Sequence, residues 1–401
     1  MFLLKRLKRF GCGLAAGCFC LSTGLAEPKA SDPEPIFVGI NADMTTADAE
    51  SGVAIRRGAQ VALAEINAAG GALGRPLQLQ VLDHRRNPAR GIANLERFAA
   101  DPQLVAVLGG KHTPVVLAEL PQVHAAGLPY LIPWAAGTPI IDNGYEPNYV
   151  FRVSVRDADA GAFLLSHARQ LGFDRVGLLL EQTGWGRSNG DALEAAAEAS
   201  GSRITHTEWF NWGQSDFAPA LTRLRESGAA GILFVGNSPD GVTLVKAMLD
   251  LPEDERLPVV SHWGIAGGEF IEPLGDRLDV LPLSVLQTYS FFDPPEPERM
   301  ADFLETWRSL FPDASRLEQI TAPAGVAHSY DLVHLLARAI DRAGSTDRAE
   351  VRDALEQIER YEGLVRVYAP PFTPERHEAL DPSDFRMGTF QNGVIRPLAN
   401  P

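Results

Sequence analysis

Apolar and polar positions along this chain follow two periods. Short runs rich in Val, Ile and Leu stand between longer stretches in which apolar residues return every three or four positions. The runs read as buried strands and the stretches as helices that cover them. Runs at 36–40, 77–82, 104–108 and 129–132 predict strands, with helices over 53–69, 88–100 and 114–126 between them. Gly70-Gly71 ends the first helix. The series restarts near 149–153. Further strands are expected at 175–180, 203–207, 231–235, 258–260 and 281–287, and further helices at 158–171, 187–200, 216–227 and 239–249. The remainder is mainly helical, over 298–311, 322–343 and 348–359. A Pro-rich tail from Tyr361 carries a hairpin signal around 388–396. This alternation predicts an α/β chain of two Rossmann-like lobes, each a parallel sheet with helices on both faces, joined by a hinge. The expected lobes are 27–153 with 288–384, and 154–287 with 385–401.

The two halves echo each other at one informative place. The third strand of the first half runs into Gly109-Gly110-Lys111-His112-Thr113-Pro114, and its counterpart runs into Gly236-Asn237-Ser238-Pro239. Each has Gly after the strand, then a hydroxyl residue, then Pro where a helix begins. Thr and Ser are good N-caps, and Pro suits the first helical position. In open α/β sheets, ligands sit beyond the carboxyl ends of the strands. With two such lobes, those ends face one another across a cleft. A helix start there offers free N–H groups and a positive dipole end to an anion. Thr113 adds a hydroxyl, Lys111 a charge, and His112 lies between them.

Composition narrows the functional classes. Lys5, Arg6, Lys8 and Arg9 precede the uncharged run 10–26, the layout of an export signal, and Gly24-Leu25-Ala26 places cleavage before Glu27. The expected location is the periplasm. The run of about 17 residues is short for a membrane span. Ala15-Ala16-Gly17-Cys18 loosely matches a lipidation box, but apolar residues continue past it to Ala26. Cys12, Cys18 and Cys20 are the chain's three cysteines, all before the cleavage point, so the exported chain has no disulfide and no cysteine metal site. Four of 36 basic residues leave with the signal against 51 acidic ones retained, a mature charge of −19. Such a surface argues against nucleic acid and anionic membrane as partners.

Enzyme signatures are missing. No Gly-x-Ser-x-Gly, no Gly-Lys-Ser/Thr phosphate loop and no His-Glu-x-x-His is present. His328 and His334 have poor spacing for shared ligation on one helix, and His377 and Glu378 sit in the tail, where structural roles are expected. No catalytic residue, metal or cofactor is assigned. The tryptophans say more. Trp134, Trp185 and Trp263, the last beside His262, occupy strand-end positions where indoles build pocket walls. Trp209 and Trp212 follow a strand too but are left out of the expected site.

At these loops the chain resembles the periplasmic leucine/isoleucine/valine-binding protein family, the type I receptors of amino-acid and amide ABC transporters. The resemblance runs through Gly58-Ala59-Gln60, 65–71, Leu82-Asp83, Asn87-Pro88, 109–131, Asp216-Phe217 and 329–333. It implies the type I periplasmic binding fold, a small-molecule ligand, permease subunits as partners, a monomer, and no enzymatic activity. Thr113 falls on the residue that binds a ligand carboxylate, and Ala135 and Ala136 fall on the next contact loop, with its hydroxyl absent or displaced to Thr138. Trp185 falls on an aromatic wall position, and Asn237-Ser238 lies near another. Trp263 replaces the acid that pairs with an amino acid's ammonium, which argues against a plain branched-chain ligand. The alternative is a sensory protein of the same fold that reports its ligand to a membrane partner.

Overall fold

The computed structural model describes residues 33–398. The export segment, Cys18 and residues 399–401 lie outside the described residues. The apolar runs form strands of two separate sheets. The first sheet contains β1 (Ile36–Ala42), β2 (Leu77–Asp83), β3 (Leu104–Gly109), β4 (Tyr130–Ile132) and β5 (Val150–Arg152), in the order β2-β1-β3-β4-β5, all parallel. Helices α1 (Glu50–Ala68), α2 (Pro88–Ala99) and α3 (Thr113–Ala125) make the crossovers. Strands β1 and β3 are buried along nearly their whole length, as parallel strands covered on both faces must be.

The second sheet repeats the same winding. After α4 (Asp157–Gln170) come β6 (Arg175–Glu181), α5 (Gly184–Ser200), β7 (Arg203–Phe210), α6 (Ala218–Glu226), β8 (Gly231–Val235), α7 (Ser238–Leu249), β9 (Val259–Ser261) and β10 (Leu283–Gln287). Their order is β7-β6-β8-β9-β10, the counterpart of the first sheet strand for strand. The chain then returns to the first sheet's side as α8 (Pro297–Leu310), α9 (Pro323–Ala343) and α10 (Arg348–Leu355). Helix α9 packs along α1. A two-rung ladder follows, β11 (Tyr361–Glu362) and β12 (Val367–Tyr368). The hairpin expected near the end is β13 (Arg386–Gln391) and β14 (Val394–Pro397), added antiparallel to the edge of the second sheet.

Three differences from the sequence reading bear on the site. Helix α5 begins at Gly184, not at Arg187, because Thr183 is its cap: the Thr183 hydroxyl accepts from the N–H of Trp185 (3.1 Å) and of Gly186 (3.5 Å). Trp185 is therefore in a helical first turn. Strand β7 runs on to Phe210, so Trp209 lies inside it, partly exposed to solvent, and only Trp212 follows the strand. Thr113 and Ser238 do not cap α3 and α7. The caps are His112 and Asn237, and each hydroxyl is one residue inside the helix.

The tail ties the first sheet to the returning segment. Arg152, fully buried at the end of β5, donates from Nε to Glu378 Oε2 (2.7 Å) and from Nη2 to Glu378 Oε1. Its Nη1 donates to the carbonyls of Ala135 (3.2 Å) and Gly137 (2.9 Å). His377 contacts Val150 O through Nδ1 and Glu356 through Nε2. His328 bridges Pro133 O and the Thr288 hydroxyl, tying the loop after β4 to the chain just past β10. These buried groups are structural, as expected for them. Among the described residues, no helix is long and apolar enough to cross a membrane.

Candidate functional site

The carboxyl ends of both sheets converge. The loops after β3 and β4 bring Lys111, His112, Thr113, Pro114, Trp134 and Ala136 to one side of a common cavity. The ends of β6 to β9 bring Glu181, Trp185, Trp212, Asn237, Trp263 and Gly264 to the other. Six residues from each sheet therefore enclose one small space of about 10 Å³, room for roughly one water. The sides touch directly. Trp134 lies against Trp263 with ring centroids 5.4 Å apart, and His112 meets Trp212 at 5.8 Å. Arg86 sits over the Trp212 ring at 4.3 Å, and Lys111 Nζ donates to Gly267 O at 3.3 Å. Within the second side, Gly264 lets its loop pack closely, since a Cβ there would stand 2.2 Å from Gly236 O and 2.6 Å from the Trp185 ring.

Of the twelve residues expected at the site, eight line this cavity: Lys111, His112, Thr113, Trp134, Ala136, Trp185, Asn237 and Trp263. Four stand behind it. Ala135 gives its carbonyl to Arg152. Thr138 turns its hydroxyl to the N–H of Ala158 (3.0 Å), while its own N–H donates to Ser188 Oγ across the cleft (3.1 Å). Ser238 donates to the carbonyls of Gly264 and Ile265. His262 accepts the Trp263 N–H on Nδ1 and places Nε2 3.2 Å from Asp157 Oδ1, beside Trp185. The free charge expected at Lys111 is already engaged. Its Nζ lies 2.9 Å from Asp48 Oδ1, and Asp48 also meets Arg86 (3.1 Å) and His112 (3.5 Å). Burial pushes the Asp48 carboxyl up, but these neighbours outweigh it and hold the group well below the usual range. His112 is driven down by burial. Its ring and the Trp134 Nε1 are buried without a hydrogen-bond partner among the described residues.

The sequence reading missed Glu181 and left out Trp212. Glu181 is the last residue of β6 and fully buried. Its Oε2 accepts from Trp212 Nε1 (2.8 Å) and Asn237 Nδ2 (2.8 Å), and its Oε1 from the Thr183 hydroxyl (2.5 Å). Burial raises its pKa to about 7 against those bonds. Asp240 behind it is raised to about 6, again by burial. The signal was present in the sequence: a carboxylate closing the apolar run Val-Gly-Leu-Leu-Leu, at the strand end where ligands sit. A carboxylate therefore stands at the cavity on β6, another strand than the one that leads into Trp263.

A larger cavity of about 290 Å³ lies beside the site. It is walled by Phe270, Phe291, Ile320, Phe390 and Val394, with Glu50 among its polar residues. No loop from the ends of β3, β4, β6 or β8 reaches it.

Two sheets wound alike, with their strand ends sharing one cavity, define a two-lobed binding protein of type I periplasmic architecture. The chain belongs to the periplasmic binding protein family, whose model matches residues 35–390. Such proteins bind small solutes and are not enzymes. Leu/Ile/Val-binding protein homolog 1 of Brucella abortus is 26% identical over 329 residues, covering 80% of this chain and 82% of its own. A periplasmic binding protein type 1 from Bordetella pertussis superposes with a TM-score of 0.80 at 25% identity, over 91% of this chain and 100% of that one. The branched-chain amino acid substrate-binding protein LivJ of Streptococcus pneumoniae, solved with isoleucine, shares the fold with a TM-score of 0.77 at 22% identity, over 90% and 98% of the two chains.

Proposed function

We propose that this protein is an exported receptor that captures a small amino-acid-like molecule, amide or carboxylate between its lobes and delivers it to the permease of an ABC transporter. The observation that carries the reading is the division of one cavity wall, six residues from the strand ends of each sheet. A wall divided in this way exists only while the lobes are together, so ligand capture and closure are one event. The lobes are 27–153 with 288–384, and 154–287 with 385–401, and they rotate about the crossovers near Val153, Gln287 and Asp384. Thr113 and the start of α3 receive an anionic or carbonyl end of the ligand. Trp134, Trp185 and Trp263 enclose its body, with Lys111, His112, Ala136 and Asn237 around them. Ala135, Thr138, Ser238 and His262 brace these groups from behind. The names of the relatives, which point to amino acids, support the ligand class.

A thermal-shift screen of the mature protein against amino acids, amides, small carboxylates and aromatic acids tests this. A true ligand raises stability by about 2.7 kcal/mol at a hundredfold excess over its dissociation constant. Scattering at saturation should show a compact particle, and the ligand should be recovered unchanged. Consumption of the ligand, or a complete lack of hits, overturns the reading. Export is tested by intact mass: a start at Glu27 is expected, and a lipidated start at Cys18 contradicts it.

A further inference from the structure

The receptor reading leaves the larger cavity without a role. Its volume is about 290 Å³, whereas an apolar cavity of about 150 Å³ already admits a benzene ring. It is separate from the strand-end cavity. Gly267 packs between the two: a Cβ there would stand 2.9 Å from Trp134 Cζ2 and 2.9 Å from Lys111 Cδ, residues that line the strand-end cavity. Ala266 and Gly268, on either side of Gly267, line the larger one. That wall is drawn from both sides of the molecule. Phe270 follows β9, and Phe390 belongs to the hairpin at the edge of the second sheet, with the two rings 5.0 Å apart. Glu50 opens α1 and Ile320 precedes α9, the two helices that pack together on the first sheet's side. Phe291 follows β10, and all of these apolar side chains are buried.

The charged residues of this wall have one sign. They are Glu50, Glu269, Glu272 and Glu318, and none of them forms an ion pair among the described residues. Glu50 is half-buried and the other three are exposed. Burial raises the Glu50 pKa, against the Thr321 hydroxyl and the fields of Lys111 and Arg57. Both cations are engaged elsewhere: Lys111 is bonded to Asp48, and Arg57 lies over the Phe311 ring at 5.3 Å. The cation that touches the wall, Arg396, lies on the Phe292 ring at 4.3 Å. A carboxylate drawn out of water needs an opposite charge, and aromatic faces attract the same charge. Apolar walls with a few polar groups on one sign of charge suit an apolar body that carries a cation at one end.

We propose that this cavity is a second ligand site, for an arylalkyl ammonium, with the aromatic ring among Phe270, Phe291 and Phe390 and the ammonium at Glu50. The site lies beyond the Gly267 partition and is independent of whatever the strand-end cavity holds. An occupant there touches both sides of the molecule, because its wall does.

The test is calorimetry on the mature protein with two ring sizes, each as a cation, a neutral molecule and an anion. The cations are 2-phenylethylamine and tryptamine, the neutral forms 2-phenylethanol and tryptophol, and the anions phenylacetate and indole-3-acetate. At one ring size or both, the amine should bind at least about tenfold tighter than its alcohol and its acid. Glu50→Gln should weaken the amine about fivefold or more and leave the alcohol within about twofold, which a merely structural role of Glu50 would not do. Glu269→Gln, on an exposed residue, repeats the charge test if Glu50→Gln fails to fold. Phe292→Ala, on a half-buried wall residue, should weaken amine and alcohol alike. None of these three positions lines the strand-end cavity, so their effects locate the site. The proposal is overturned if neither amine binds at about 10 mM, or if the alcohols or the acids bind as well as the amines at both ring sizes. It is also overturned if the charge variant and Phe292→Ala both bind the amines as wild type does.

Discussion

Replacing Thr113 by Val separates what this residue does for the fold from what it does for a ligand. Thr113 is buried in the first turn of α3, and its Oγ1 accepts from the N–H of Gly137 at 3.2 Å. Its methyl group lies where a Cβ on residue 137 would come within 2.4 Å, so this contact holds the β4 loop close to α3. Valine keeps that shape and removes only the acceptor. The Gly137 N–H is then buried without a partner, at a cost of about 1–3 kcal/mol. At about 2.1 cal/mol/K per residue, a folded unit of roughly 370 residues has an unfolding entropy near 0.8 kcal/mol/K, so Tm should fall by about 1–4 °C. Binding should weaken separately. A hydrogen bond to a charged group contributes about 1.5–3 kcal/mol, which is a roughly 10- to 150-fold rise in Kd for a carboxylate ligand. Calorimetry with the best ligand of the screen, run beside a thermal melt, reads both quantities. A lowered Tm with Kd unchanged within about twofold would show that Thr113 only braces the loop, and the anion-end assignment would fail.

Three further outcomes follow from the same geometry. Lys111→Met removes the donor to Gly267 O across the cleft, so the ligand-free protein should shift toward an open, larger particle in X-ray scattering, and an unchanged radius contradicts the role of this contact. Glu378→Gln leaves the buried Arg152 guanidinium without its counter-charge, which should cost about 3–5 kcal/mol and about 4–6 °C in Tm. Glu362→Gln, in the exposed pair with Arg360, should move Tm by less than about 1 °C, and equal shifts in the two variants refute the argument. Burial raises the Glu181 pKa to about 7, so the folded state holds that proton more tightly than the unfolded chain does. The resulting stability is present at low pH and lost as pH rises toward about 7. Glu181→Gln should therefore flatten this part of the stability–pH curve, leaving Asp240, Asp48 and Arg86 as the charged groups around it. A curve of unchanged slope tells against the assignment.

The architecture was legible because it depends on local chemistry. Apolar runs of strand length, helical periods between them and Gly or Pro at their ends are each set by neighbours in sequence. They placed nearly every strand and helix, and the repeated Gly–hydroxyl–Pro turns marked the strand ends that meet. The same logic picked out Trp134, Trp185 and Trp263, which line the shared cavity, although Trp185 lies in the first turn of α5. Charge partnership is not. Lys111 looked free in sequence and is bonded to Asp48, which lies 63 residues away. Ser238 and Thr138 looked like ligand hydroxyls, and both are spent on backbone groups distant in the chain. Glu181 lies one residue past the strand expected at 175–180, and it is a buried acid because Trp212 and Asn237, from two other loops, close over it. Sequence alone determined the two-lobed frame and most of the loops that line the shared cavity. Only the tertiary structure decided which polar atoms in that cleft remain free for a ligand, because a hydrogen bond or ion pair is used up by whichever partner the fold brings within about 3 Å, however far apart the two lie in sequence.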